Sequence, residues 1–157
     1  MDRVLELFKI LKEKGATFGA AESCTGGQFS AKITEVPGSS EFFLGAVISY
    51  ANSVKEKVLE IPEIDLKNHG AVSQVVAEKM SRNVRDLLNC TYSISITGIA
   101  GPGGGSQTKP VGTVWFGISG LNFVKTEMKQ FTGDRSQVQE AAVNYALELL
   151  IRNIQES

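Results

Sequence analysis

The sequence predicts an α/β fold: a three-layer α/β/α sandwich with a mixed, mostly parallel sheet and an antiparallel hairpin. Three observations predict it. Stretches with helical apolar spacing alternate with short strand-like runs, the pattern of a sheet covered on both faces. Two of those runs lead straight into glycine-bearing turns at 23–27 and 98–112, as strands do at the carboxyl edge of an open sheet. Late in the chain, the runs 113–118 and 123–131 are joined only by a short connection through Gly120-Leu121-Asn122, which an antiparallel pair can use and a parallel pair cannot.

The elements follow in order. Val4, Leu7, Phe8 and Leu11 recur at helical spacing and Gly15 suits a left-handed cap, so the chain opens on a helix with one face on the core. Residues 17–21 read as a strand, and 28–34 as a short helix stopped by Val36-Pro37-Gly38-Ser39-Ser40. An apolar turn at 41–44 precedes a buried strand over 46–50. Asn52 or Ser53 caps a short helix, Ser53 and Glu56 being spaced as a capping box, and Pro62 closes it. Residues 66–70 read as loop. Ser73 starts a helix whose apolar stripe is Val76, Met80, Val84, Leu87 and Leu88. Tyr92-Ser93-Ile94-Ser95-Ile96-Thr97 alternates as a strand does, and the two hairpin strands follow the second glycine loop. Thr132-Gly133-Asp134-Arg135-Ser136 opens a long final helix carrying Val138, Ala142, Tyr145 and Leu149 on one side. No repeat or linker interrupts the order, and 157 residues suit one domain over 1–157.

Composition removes several function classes. A formal net charge of -1 with no block of like charges gives no ground for a nucleic-acid partner. No run of ~18 apolar residues predicts a membrane span, and Met1-Asp2-Arg3-Val4 lacks a secretory pattern, so the cytoplasm is the expected compartment. Two cysteines, Cys24 and Cys90, make no disulfide framework. A zinc site of the His/Cys type would have to gather the lone His69 with both distant cysteines. Neither metal nor cofactor is expected.

The stretch Ala21-Glu22-Ser23-Cys24-Thr25-Gly26-Gly27 carries the most chemistry. A strand turning sharply into a helix leaves its turn residues at a sheet edge, where glycines allow close backbone approach to a ligand. Free N–H groups of the helix start can hold an anion or a developing oxyanion. Ser23, Cys24 and Thr25 are three possible nucleophiles or hydrogen-bonding groups there; the plain alternative is a polar N-cap followed by a flexible glycine pair. Gly98-Ile99-Ala100-Gly101-Pro102-Gly103-Gly104-Gly105 leaves another strand, so the two loops read as two lips of one pocket. It is not a phosphate-binding P-loop, because Lys109 is followed by Pro110 and no Gly-Lys-Ser/Thr ends it.

Six motifs, taken together, resemble one family: AESCTGG (21–27), Ser49-Tyr50-Ala51-Asn52 followed by Lys55, HGAVS (69–73), TGIAGP (97–102), KPVGTV (109–114) and GDR (133–135). Their order over nearly the whole chain is similar to the C-terminal domain of the competence/damage-inducible protein CinA, whose stand-alone versions are nicotinamide-mononucleotide deamidases. The larger CinA protein carries an additional N-terminal domain, so the likeness is to the single-domain form. The resemblance implies a metal-free amidohydrolase that converts nicotinamide mononucleotide and water to nicotinate mononucleotide and ammonia in pyridine-nucleotide salvage. It implies a serine nucleophile assisted by a lysine and a tyrosine, roles that match Ser23, Lys55 and Tyr50, and it implies a homo-oligomer of at least two copies.

The residues agree with that chemistry. Amide hydrolysis needs a nucleophile, a proton acceptor, an acid for the leaving ammonia and an oxyanion stabiliser. A serine–histidine triad would rest on His69 alone, whereas a serine–lysine pair is a convergent variant that needs a lysine of lowered pKa. Placed in the first turn of a helix, Lys55 would owe that lowering partly to the helix dipole. Lys57 competes with it, and the family's spacing after Tyr50 and Asn52 favours Lys55. Tyr50 would relay the proton or orient Ser23; which of Lys55 and Tyr50 takes it first stays open. Cys24, intrinsically the better nucleophile, is set aside only by the resemblance. The turn suggests backbone amides of Thr25, Gly26 and Gly101 for the oxyanion. Arg135 at the mouth of the last helix suits the substrate phosphate, or equally a surface carboxylate, and Thr97, Gly98, Gly101, Thr108 and Lys109 suit the nucleotide pocket. Glu22 orients Ser23 or rigidifies the loop. A different class of function, a non-catalytic nucleotide-binding module, fits the same glycine loops; Ser23 within hydrogen-bond reach of Lys55 or Tyr50 separates the two.

Overall fold

The structure, a computed structural model, describes residues 2–157. Helix α1 (Arg3–Lys14) is capped at its start by the Asp2 carboxylate, which accepts from the Val4 and Leu5 amides, and at its end by Gly15 at φ 61°. Strand β1 (Phe18–Glu22), helix α2 (Gln28–Thr34) and strand β2 (Phe43–Ile48) follow. Helices α3 (Asn52–Lys57), α4 (Glu63–His69) and α5 (Gln74–Leu88) come next, then strands β3 (Tyr92–Gly98), β4 (Thr113–Ser119) and β5 (Val124–Gln130), and helix α6 (Arg135–Glu156).

The five strands form one sheet in the order β2-β1-β3-β4-β5. β1 is parallel to both β2 and β3, while β3–β4 and β4–β5 are antiparallel. The sheet is mixed, as the sequence predicts, but evenly so rather than mostly parallel. A parallel neighbour needs a crossover element, and the glycine loop between β3 and β4 contains no helix to provide one. One face packs against α1, α2 and α6 through Leu7, Leu11, Phe29, Ile33, Leu149 and Leu150. The other is covered by α5 and the segment before it through Leu59, Ile61, Leu66, Val76, Met80 and Val84. Successive β1 side chains serve the two cores, Ala20 the first and Ala21 the second.

Several local expectations change. Residues 66–70 are not loop: α4 covers Glu63–His69 after Pro62, with Glu63 and Asp65 in its first turn and Leu66 buried, an acidic helix start that the lone apolar anchor conceals. The second strand begins and ends earlier than 46–50, leaving Ser49 and Tyr50 in the turn beyond it. Neither Asn52 nor Ser53 caps α3; Ala51 occupies that position and no side chain caps it. The alternation of β3 does not mark a wet face, because Ser93 and Ser95 are buried and donate to the Ser81 and Ala77 carbonyls of α5 at 2.5 and 2.6 Å. Among the described residues, no helix is long and apolar enough to cross a membrane.

Candidate active site

The turn after β1 is held from below by its own acid. Glu22 is fully buried. Its Oε1 accepts from Thr25 Oγ1 (2.6 Å) and the Gly27 and Phe29 amides (both 3.1 Å); its Oε2 accepts from the Ser30 amide (3.0 Å) and Ser30 Oγ (2.6 Å). The start of α2 is therefore already occupied by a carboxylate and is not open to a substrate anion, which corrects the expectation for that helix start; of the two roles expected for Glu22, its bonds are those that rigidify the loop, with none to Ser23. Gly26 and Gly27 take φ of 56° and 104° to bring the chain into α2. The Gly26 amide donates to the Ser23 carbonyl at 3.1 Å, so it is spent within the turn, against the expectation of an oxyanion contact there. The Gln28 amide is likewise used, on the Thr25 carbonyl. Among the described residues, only the Cys24 and Thr25 amides of this turn have no acceptor.

A buried amine meets this turn. Lys55 is 1% exposed, and its Nζ lies 2.9 Å from Ser23 Oγ, 2.6 Å from the Ser49 carbonyl and 3.4 Å from the Tyr50 carbonyl. Among the described residues no carboxylate pairs with it. Burial lowers its pKa from the ordinary 10.5 to about 8. It sits in the last turn of the six-residue α3, not the first, so desolvation rather than the helix dipole produces the shift. Lys57 is exposed and cannot compete. Cys24 adjoins Ser23, but burial pushes its thiol up to about 12, and Lys55 bonds to the Ser23 hydroxyl instead. Cys90 is buried against the start of β3, its thiol pushed up to about 11 by burial.

Ser23, Cys24 and Lys55 line a cleft of ≈ 300 Å³ together with Tyr50, Asn52, Thr97, Gly98, Gly101 and Arg135. The Thr97 hydroxyl is already engaged, donating to the Ala71 carbonyl at 2.9 Å. Tyr50 is 61% exposed, and its hydroxyl accepts from Arg135 Nη2 at 3.0 Å, not from Ser23 or Lys55. Arg135 Nη1 donates to the Gly101 carbonyl at 2.7 Å, so one guanidinium ties the tyrosine loop to the glycine loop across the mouth. Thr108 and Lys109 fall outside the cleft. Thr108 is exposed beside Ser106, and the Lys109 ammonium donates to the His69 carbonyl. His69 is exposed at the end of α4. The sequence reading missed Gln139, which donates to the Cys24 carbonyl at 3.0 Å; its place one helical turn after Arg135 was the available signal.

A serine hydroxyl bonded to a buried, unpaired amine, beside two unused amides and a forked cation, is equipped for nucleophilic attack on a carbonyl of an anionic ligand. A family model described as the CinA C-terminal domain matches residues 2–154. A CinA-like protein of Acaryochloris marina is 46% identical over 148 residues, covering 93% of this chain and 35% of that protein. One of Trichodesmium erythraeum is 47% identical over 149 residues, covering 93% and 35%. The chain thus spans about a third of the length of these curated relatives. Among solved structures, the competence damage-inducible protein A (ComA) of Klebsiella pneumoniae superposes with a TM-score of 0.94 at 31% identity, over 98% of this chain and 95% of that one. The competence/damage inducible protein CihA of Agrobacterium tumefaciens does so with a TM-score of 0.92 at 33% identity, over 96% and 92%. With its fold, its cleft and 153 consecutive residues matched, this chain belongs to the CinA C-terminal domain family.

Proposed function

We propose that the cleft hydrolyses a carboxamide, converting nicotinamide mononucleotide to nicotinate mononucleotide and ammonia. The observation that carries this reading is the 2.9 Å contact between Ser23 Oγ and the buried Lys55 amine. In its neutral form the amine directs its two hydrogens to the Ser49 and Tyr50 carbonyls, leaving its lone pair for the Ser23 hydroxyl. Ser23 Oγ attacks the carboxamide carbon as its proton passes to Lys55. The carbonyl oxygen gains the negative charge and is received by the Cys24 and Thr25 amides. Collapse breaks the C–N bond, Lys55 returns the proton to the departing nitrogen, and ammonia leaves an ester on Ser23. Water then attacks that ester, giving one proton to Lys55, which passes it to the departing Ser23 oxygen; the product acid keeps the other, loses it to solvent and leaves as the carboxylate. Arg135, at the mouth, suits the phosphate, exchanging its bond to the Tyr50 hydroxyl for a charged one. Tyr50 then orients the nucleotide rather than relaying the proton.

The test is ammonia release from nicotinamide mononucleotide by the purified protein. Ser23→Ala is expected to abolish it, and Lys55→Ala to lower kcat at least ~100-fold, as removal of a general base does. Saturable binding of the nucleotide with no ammonia would instead make the cleft a binding site. The buried Ser23–Lys55 contact favours the hydrolase over that alternative, since a mere binding site gains nothing from desolvating an amine there.

A further inference from the structure

Gln139 lies on α6, half-buried, and reaches a residue 115 positions away to donate its Nε2 hydrogen to the Cys24 carbonyl at 3.0 Å. A carbonyl can only accept, so this contact fixes which end of the side-chain amide faces the turn. In a planar trans peptide the N–H points opposite to the C=O. Holding the Cys24 carbonyl toward α6 therefore turns the Thr25 amide the other way. The peptide before it obeys the same rule: the Ser23 carbonyl is held by the Gly26 amide at 3.1 Å, which sets the direction of the Cys24 amide. Among the described residues, these two amides are the ones the turn leaves without an acceptor. The first is aimed from within the turn itself. The second is aimed by a side chain supplied from another element.

We propose that Gln139 is a positioning residue that sets the Cys24–Thr25 peptide so that the Thr25 N–H serves as an oxyanion donor for attack by Ser23. The inference rests on the serine-hydrolase reading of the cleft. Without the Gln139 bond, that peptide is free to rotate, and the flipped form would present a carbonyl oxygen where negative charge develops. Gln139 touches neither substrate nor nucleophile and acts only through backbone direction.

The experiment uses the full chain with Gln139→Glu, which keeps the size and loses the donor, and Gln139→Leu, which keeps the fold at a half-buried position. Two rates are read: ammonia release from nicotinamide mononucleotide, and phosphonylation of Ser23 by a fluorophosphonate. In the second, an Oγ–P bond forms, fluoride leaves and the hydroxyl proton passes to Lys55, so the rate reports nucleophile and oxyanion hole without the nucleotide. Both variants are expected to lower kcat and the phosphonylation rate by ~30-fold or more, approaching the 10²–10³ cost of a lost oxyanion donor. KM is expected to stay within ~3-fold, as for an interaction made only in the transition state. An unchanged phosphonylation rate in both variants, or a loss that falls on KM alone, overturns the inference. Phosphonylation that depends on Gln139 in a protein releasing no ammonia overturns the choice of substrate and leaves the positioning role standing. A wild-type protein that is neither phosphonylated nor active overturns both.

Discussion

Lys55→Met is expected to change how stability responds to pH. The wild-type amine is protonated in the unfolded chain up to its ordinary 10.5 but only up to about 8 when folded. Between those values the unfolded state binds the extra proton, so wild-type stability rises with pH there relative to a protein lacking the group. Below about 8 the folded state carries a buried ammonium and that stability is lost; above 10.5 it is fully present. The gap between the two values is worth about 3 kcal/mol. Methionine fills nearly the same volume with no charge, so the variant lacks this slope. Urea unfolding of both proteins at pH 7 and pH 10.5 gives the difference in stability at each pH, and titrations common to both cancel. The advantage of Lys55→Met over wild type is expected to shrink by about 3 kcal/mol from the lower to the higher pH. The hydrogen bonds lost to the Ser49 and Tyr50 carbonyls shift both points equally and leave the slope untouched. A difference that stays within ~0.5 kcal/mol across this range would mean that Lys55 titrates as an exposed lysine, and the argument from burial would fail. This test does not depend on the substrate.

Three further outcomes follow from the same contacts. Because only the neutral amine can take the Ser23 proton, kcat/KM for nicotinamide mononucleotide is expected to rise with pH and level off above an apparent pKa of about 8; a profile flat from pH 6 to 9 would exclude Lys55 as the base. Glu22→Gln turns an amide nitrogen toward groups that all donate to the carboxylate, so chemical denaturation is expected to show a loss of about 2 kcal/mol or more. Gly117→Ala builds a methyl 2.3 Å from the Ala77 carbonyl oxygen and 2.6 Å from Ser95 Oγ; prising α5 from β4 is expected to cost about 2–3 kcal/mol in the same measurement.

The fold was legible where periodicity and punctuation agreed. The first helix ends at Gly15 because its left-handed cap suits glycine, and the same spacing that marks Val76, Met80 and Val84 buries them against the sheet. What local pattern did not reveal was decided by partners distant in sequence. The Ser93 and Ser95 hydroxyls look like a solvent face until α5 supplies carbonyls for them. Lysine 55 resembles any polar residue of a short helix, and nothing local announces that its amine will be enclosed beneath the serine turn. The direction of β4 depended on what the glycine loop lacks, a crossover helix, a weaker signal than the short hairpin connection. At the candidate site, AESCTGG pointed to the turn that meets Lys55 but not to its hydrogen bonding: which amides stay open depends on where the Glu22 carboxylate folds back and on which turn carbonyls the Gly26 and Gln28 amides reach.

That distribution of amides explains why an acid stands directly before the nucleophile. Left open, the start of α2 would be the strongest anion-attracting point beside Ser23, because its free N–H groups and dipole both favour negative charge. It would compete with Arg135 for the phosphate and, on the deamidase reading, hold the carboxylate that hydrolysis creates next to the serine. Glu22 fills the position with the protein's own charge through five hydrogen bonds. Two consequences follow. On that reading, the remaining attraction for a phosphate lies at Arg135, which lines the same cleft as Ser23 and would orient an anionic substrate with its amide end toward the serine. The carboxylate formed by such a hydrolysis would meet no helix start to retain it and would lie near the buried Glu22 carboxylate, which favours its departure. The transient oxyanion of the proposed reaction would be stabilised differently, by the Cys24 and Thr25 amides, whose directional bonds act on an atom in contact rather than on charge at a distance. On the deamidase reading the turn would thus separate an anion that exists only during the reaction from those that precede and follow it: Glu22 fills the helix start, while the bonds of Gly26 and Gln139 to the Ser23 and Cys24 carbonyls leave the Cys24 and Thr25 amides for the oxyanion.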